Sequence, residues 1–118
     1  MDSQLLRDRS KKFAIEIIKL VDHLPKKESA RIIGRQLLRS STSVAANYRA
    51  ACRARSKPEF FAKLSIVVEE ADESLFWLEI IEETGLLIND ESIRLKNEST
   101  ELLKIFSVSR RTTKNNND

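Results

Sequence analysis

Arginines recur along the stretch from Glu28 to Arg55, ESARIIGRQLLRSSTSVAANYRAACRAR, at spacings that suit phosphate chemistry. At about 100° per residue, Arg31, Arg35, Arg49 and Arg53 share one face of a helix, with Arg39 at its margin. Each guanidinium offers a planar fork of N–H donors that fits a phosphate, and neutralised phosphates release counterions. The opposite face carries Ala30, Ile33, Leu37, Val44, Tyr48 and Ala51, so the helix has a dry side and a basic side. Small residues between them, Ser40, Ser43, Ala46, Asn47 and Ala50, let neighbouring backbones approach closely. No aromatic ring interleaves with the arginines and no base-reading motif is present, so contact through this face would be salt-sensitive and weakly sequence-selective. The simpler reading of such a face is a solvated one, or one paired with acids elsewhere in the chain.

Other chemistries find less support. Glu69, Glu70, Glu73 and Glu79 invite comparison with di-iron bundles, whose sites use Glu-x-x-His pairs on two helices. None of these glutamates has a histidine three residues on, and the one histidine, His23, sits near a helix end. There it reads as a residue favourable to the helix macrodipole. A helical ribonuclease can place an arginine shortly before its histidine, but residues 17–22 hold none. Cys52 is alone, which excludes a disulfide framework and a thiolate metal cluster. There is no glycine-rich phosphate loop. We therefore expect no catalytic residue, no metal and no cofactor, and the chain reads as a non-enzyme.

The elements that position the arginines follow from the apolar pattern. With 118 residues, 41% hydrophobic and 33% charged, the chain is one domain with enough apolar surface for a core. Two glycines and two prolines are too few for the turns of a β-rich fold. The N-terminus lacks the apolar stretch of a secretory signal and no window approaches a membrane span, so a reduced cytoplasm is the expected location. A first helix is predicted from about Leu5 to His23, with Leu6, Phe13, Ile17, Leu20 and Leu24 as its stripe. The second runs from Glu28 to Arg55. Ser56-Lys57-Pro58-Glu59 has the form of a capping box opening a third helix, which Gly85 closes. Asn89 or Asp90 caps a fourth helix bearing Leu95, Leu102 and Phe106. Four helices with short connections predict an all-α, antiparallel up-down bundle over residues 1–109, followed by a polar, flexible tail at 110–118.

Charge is unevenly distributed along this order. Residues 1–63 carry a balance of +9 and residues 64–106 a balance of −8. Such asymmetry predicts pairing between the halves, between subunits, or with an anionic partner. The third helix adds a second apolar group, Ile66, Trp77 and Ile80, set among Glu69, Glu70 and Glu73 and pointing away from its core face. Either Trp77 is partly covered by a neighbouring side chain, or Ile66, Glu70, Glu73, Trp77 and Ile80 form a subunit interface with an acidic rim. A head-to-tail contact between this face and the basic helix of a neighbour closes into a ring when the rotation permits.

QLLRSSTSVAANYRAA (residues 36–51) and SKPEFFAKLSIVVEEADESLFWLEIIEETGLL (residues 56–87) resemble the four-helix-bundle proteins of the ribosomal-RNA intervening-sequence family, as does the HLPK turn at His23. The resemblance covers nearly the whole chain. It implies an antiparallel bundle assembled as a homopentameric ring. A related branch includes the accessory variability protein of diversity-generating retroelements, which implies nucleic acid and a reverse-transcriptase-like enzyme as partners. Many members have Asn-Ile-Ala-Glu-Gly where this chain has Asn47-Tyr48-Arg49-Ala50-Ala51, a change that makes the second helix more basic. The expected function is RNA or DNA binding, or binding of a nucleic-acid enzyme, by a non-enzymatic homo-oligomer through Arg31, Arg35, Arg39, Arg49 and Arg53. The alternative is a protein scaffold whose charged faces serve self-assembly only.

Overall fold

The computed structural model describes residues 2–115, which form four helices: α1 (Ser3–Val21), α2 (Glu28–Ala51), α3 (Lys57–Glu83) and α4 (Asp90–Asn115). Each packs on its neighbour in sequence and α1 closes against α4, while the diagonal backbones stay apart among the described residues. The result is an up-down bundle measuring 49 × 20 × 20 Å. That length suits helices of 24–27 residues rising about 1.5 Å per residue.

The helix ends follow local chemistry. Asp2 caps α1 by accepting the Gln4 amide at 3.0 Å. Ser56, in extended backbone, accepts the Glu59 amide at 3.2 Å, and Glu59 returns a carboxylate to the Arg55 amide at 3.4 Å. The capping box is thus present with its return arm shifted by one residue. Gly85, at φ 71°, ends α3 in the left-handed region that a side chain would resist. Its amide bonds the Glu82 carbonyl and the Leu86 amide bonds that of Ile81, both at 3.1 Å, which is the Schellman arrangement. Asn89 and Ser92 exchange hydrogen bonds at the start of α4.

Two boundaries differ from expectation. The spacing predicts α2 to Arg55, yet it stops at Ala51, and Arg53 lies in the turn beyond. There the amides of Arg53 and Ala54 reach back only three residues, to Ala50 and Ala51, tightening the chain so that Ser56 can adopt its extended cap. The expected polar tail is helical as far as Asn115, because Arg110 docks on α3. Its guanidinium carbon lies 4.7 Å from the Phe61 ring centroid and its Nε donates to Ser65 Oγ at 2.8 Å. Residues 116–118 of the predicted tail lie outside the described residues.

The predicted stripe of α1 is buried in full, and Leu37, Val44, Leu64, Val67, Leu95, Leu102 and Phe106 complete the centre of the core. Ile33, Phe60 and Leu75 are only partly covered, while Ser40 and Ser74 are buried in the α2–α3 seam. Ser74 Oγ donates to Ser40 Oγ at 2.9 Å and Ser40 donates in turn to the Leu37 carbonyl at 3.3 Å, so both hydroxyls are satisfied where the two backbones approach closely. Gly34 allows α1 a similarly close approach. A Cβ there would meet Val21 and Leu24 side-chain carbons at 3.0 and 3.1 Å.

Candidate nucleic-acid interface

The five arginines divide into two groups once α2 is packed. Arg39, at the margin of the basic face, leans toward α3. Its Nη1 lies 2.8 Å from Glu70 Oε2, and its other terminal nitrogen donates to Glu73. Trp77 Nε1 donates to the same Glu73 oxygen at 3.2 Å. Arg39 holds the Glu73 carboxyl below the usual carboxylate range, first through the hydrogen bond, with Trp77 adding to it. The glutamates expected to meet a neighbouring subunit's arginines are therefore engaged by an arginine of their own chain. Arg31 pairs with Glu28 one helical turn away at 2.5 Å, an exposed pair of small worth.

Arg35, Arg49 and Arg53 are exposed and make no ion pair or side-chain hydrogen bond among the described residues. Arg49 and Arg53 border a groove of about 510 Å³ between α1 and α2. Ala14, Ala45 and Ala46 keep its floor shallow, and Arg7 and Lys11 approach from α1. The Arg7 Nε is shielded from solvent and has no hydrogen-bond partner among the described residues, although its Nη2 donates to Gln4 at 2.5 Å. Arg35 stands at the far end of the same seam, in a second groove of about 590 Å³ that also receives Lys26, Lys27 and Arg31. Arg7 and Lys11 are absent from the expected site. Only the antiparallel register of α1 and α2, and not any spacing within one helix, brings them there.

The outer face of α3 is apolar in part. Ile66 is 39% exposed and Phe76 is 49% exposed, while Trp77 and Ile80 are partly covered. Trp77 packs against the core and meets Phe76 edge-on, with ring centroids 4.9 Å apart. The exposed aromatic on this face is Phe76, which periodicity does not distinguish from its tryptophan neighbour.

The remaining candidates have local roles. His23 Nδ1 lies 2.8 Å from the Lys19 carbonyl at the end of α1. Cys52 is half-buried against the core. Burial pushes the neighbouring Tyr48 hydroxyl well above the usual phenol range, so it stays protonated. Among the described residues no three His, Cys, Asp or Glu side chains converge as metal ligands, and no helix is long and apolar enough to cross a membrane.

The Arg39 clamp sets a pH expectation. A carboxylate whose folded pKa is depressed stabilises the fold above its unfolded value, about 4.3, and loses that contribution as pH falls through the folded value. Arg39→Ala should lower stability at pH 7 by about 1 kcal/mol. That difference should shrink toward zero below about pH 4, as read by denaturant titrations of both proteins. A constant difference across pH would contradict an electrostatic role.

Comparison with known proteins places these features. The family model described as "23S rRNA-intervening sequence protein" matches residues 4–108. A 1.70 Å crystal structure of a protein of unknown function from the S23 ribosomal protein family of Bacteroides thetaiotaomicron is 32% identical in sequence. It superposes with a TM-score of 0.84, and the match covers 94% of this chain and 99% of that one. A search of curated proteins finds no match. With the bundle, the order of its helices and nearly the full length all in register, the chain belongs to the 23S rRNA-intervening sequence protein family.

Proposed function

We propose that this protein is an oligomeric helical bundle that binds nucleic acid with little sequence selectivity through the α1–α2 face, and that it works without catalysis. The observation that carries this reading is the division of the arginines. Glu70 and Glu73 of α3 are engaged by Arg39, whereas Arg35, Arg49 and Arg53 stay exposed along the seam that Lys11 and Arg7 join. A nucleic-acid enzyme such as a reverse transcriptase would be recruited on the same complex.

The test is fluorescence anisotropy with a labelled duplex, comparing the wild type with Arg35→Ala/Arg49→Ala/Arg53→Ala, and recording oligomeric mass on each sample. The triple variant should bind more weakly at unchanged mass. If the mass falls instead, the arginines serve assembly and the scaffold reading replaces this one.

Self-association is assigned to the outer face of α3, where Phe76 and Ile66 expose apolar surface beside the partly covered Trp77 and Ile80. A homopentameric ring is the assembly proposed from the family resemblance. Phe76→Asp should lower the oligomeric mass measured by light scattering while leaving the helical circular dichroism intact. Unchanged mass would remove this face from the assembly.

A further inference from the structure

We infer that one end of the bundle, where α1 begins, α2 ends, α3 begins and α4 ends, is a docking surface for duplex nucleic acid, met through its phosphate backbones. This rests on the nucleic-acid reading above and extends it to a surface that lies mostly off helix α2. The four elements converge there. Ser3, Arg7, Cys52, Arg55 and Phe60 border one groove of about 430 Å³. Arg110 of α4 covers Phe61 of α3, and Tyr48 meets Phe106 with ring centroids 5.1 Å apart.

The fold gathers cations at this end. Residues 2–12 hold four Lys and Arg against two acids, residues 47–63 hold five against one, and residues 105–115 hold three against none. Arg9 is paired with Glu98 of α4 at 2.7 Å, and with that acid included the balance is +8 within a chain whose total is +3, so the remainder of the molecule is net negative. Arg49, Arg53, Arg55, Arg111 and Lys114 are exposed and make no ion pair among the described residues. The other three acids form no ion pair with these cations among the described residues. Asp2 accepts the Gln4 amide, Asp8 accepts the Gln4 side chain, and Glu59 accepts the Arg55 amide.

The rings at this end point to a duplex rather than a single strand. Single-strand binders offer bare aromatic faces on which bases stack. Here Tyr48 and Phe106 are 4% and 0% exposed, Phe60 is partly covered, and Arg110 lies over Phe61. Charge alone is left to bind, and charge density is highest on a duplex. A bundle end 20 Å across faces a length of duplex carrying about 12 phosphate charges, roughly half on the near side.

The test titrates labelled 30-base-pair duplex, and single strand of the same length, with three proteins across a salt series. These are the wild type, Arg55→Ala/Arg111→Ala/Lys114→Ala, and a control, Lys19→Glu/Asn97→Asp, which loses equal charge toward the opposite end at exposed residues outside both proposed surfaces. The end variant should lose about a hundredfold or more in duplex affinity at 0.1 M salt, with a salt slope shallower by about 2.7. The control should bind like the wild type, and the wild type should prefer duplex. An end variant that binds like the wild type overturns this inference and leaves the α1–α2 face standing. Equal losses in both variants reduce the effect to net charge, and preference for single strand overturns the duplex assignment. No binding by the wild type at low salt overturns both readings, and a change in mass confined to the end variant assigns this end to subunit contact instead.

Discussion

Phe106→Ala should be the most destabilising single truncation in this protein, lowering the thermal midpoint by roughly 10–20 °C. Phe106 is fully buried near the C-terminal end of α4 and packs against Tyr48 of α2 across the bundle. Removing a buried phenyl ring costs about 3–5 kcal/mol, because the lost transfer energy is joined by a cavity that rigid neighbours only partly fill. Those neighbours here sit on long helices, which limits collapse. The expected loss is a large share of the roughly 5–15 kcal/mol that keeps a domain folded. Phe76→Ala is the matched comparison. With half its surface exposed, that ring should contribute about 0.5 kcal/mol or less to the fold of one subunit. Comparable losses from the two variants, read by thermal unfolding, would show that Phe76 is a core residue of an assembly instead of a surface one.

The arginine triple variant, Arg35→Ala/Arg49→Ala/Arg53→Ala, carries the largest expected functional effect. Each phosphate contact contributes about 0.9 to the slope of log affinity against log salt. Losing three should weaken binding by about 10²–10³-fold at 0.1 M salt and flatten the slope by about 2.7. Stability should hardly move, since all three side chains are exposed and unpaired among the described residues. Arg39→Ala should behave in the opposite way. Its charge is already spent on Glu70 and Glu73, so its removal should cost stability and leave binding nearly unchanged. A triple variant that binds within threefold of the wild type (a deliberately loose threshold of about 0.7 kcal/mol) would reject the α2 arginines as the contact.

What could be read from the sequence, and what could not, follows the range of the interactions. The stripe of α1 and the caps at Ser56, Gly85 and Asn89 depend on residues within a few positions, and the pattern displays them. The end of α2 is harder, because Cys52-Arg53-Ala54-Arg55 contains no breaker. It is the extended cap of the next helix that stops the turn. The extent of α4 depends on Arg110 finding Phe61 and Ser65, some 45 residues earlier. The split among the arginines depends on the α2–α3 register, which sets Arg39 beside Glu70 and Glu73 across 31 and 34 positions. Helical periodicity placed Arg39 at the margin of its face, which is the visible trace of that pairing. Nothing local signals Lys11 and Arg7 as neighbours of Arg49.

The central claim, that the free cations of this bundle are there for phosphates, is tested most directly by one titration. Wild-type protein is titrated with labelled duplex at salt concentrations from 50 to 200 mM, with oligomeric mass recorded at each. Six to ten phosphate contacts predict that affinity falls by about 10³–10⁵-fold across that range while the mass stays constant. Binding that is absent at 50 mM, or that is indifferent to salt, would contradict the claim.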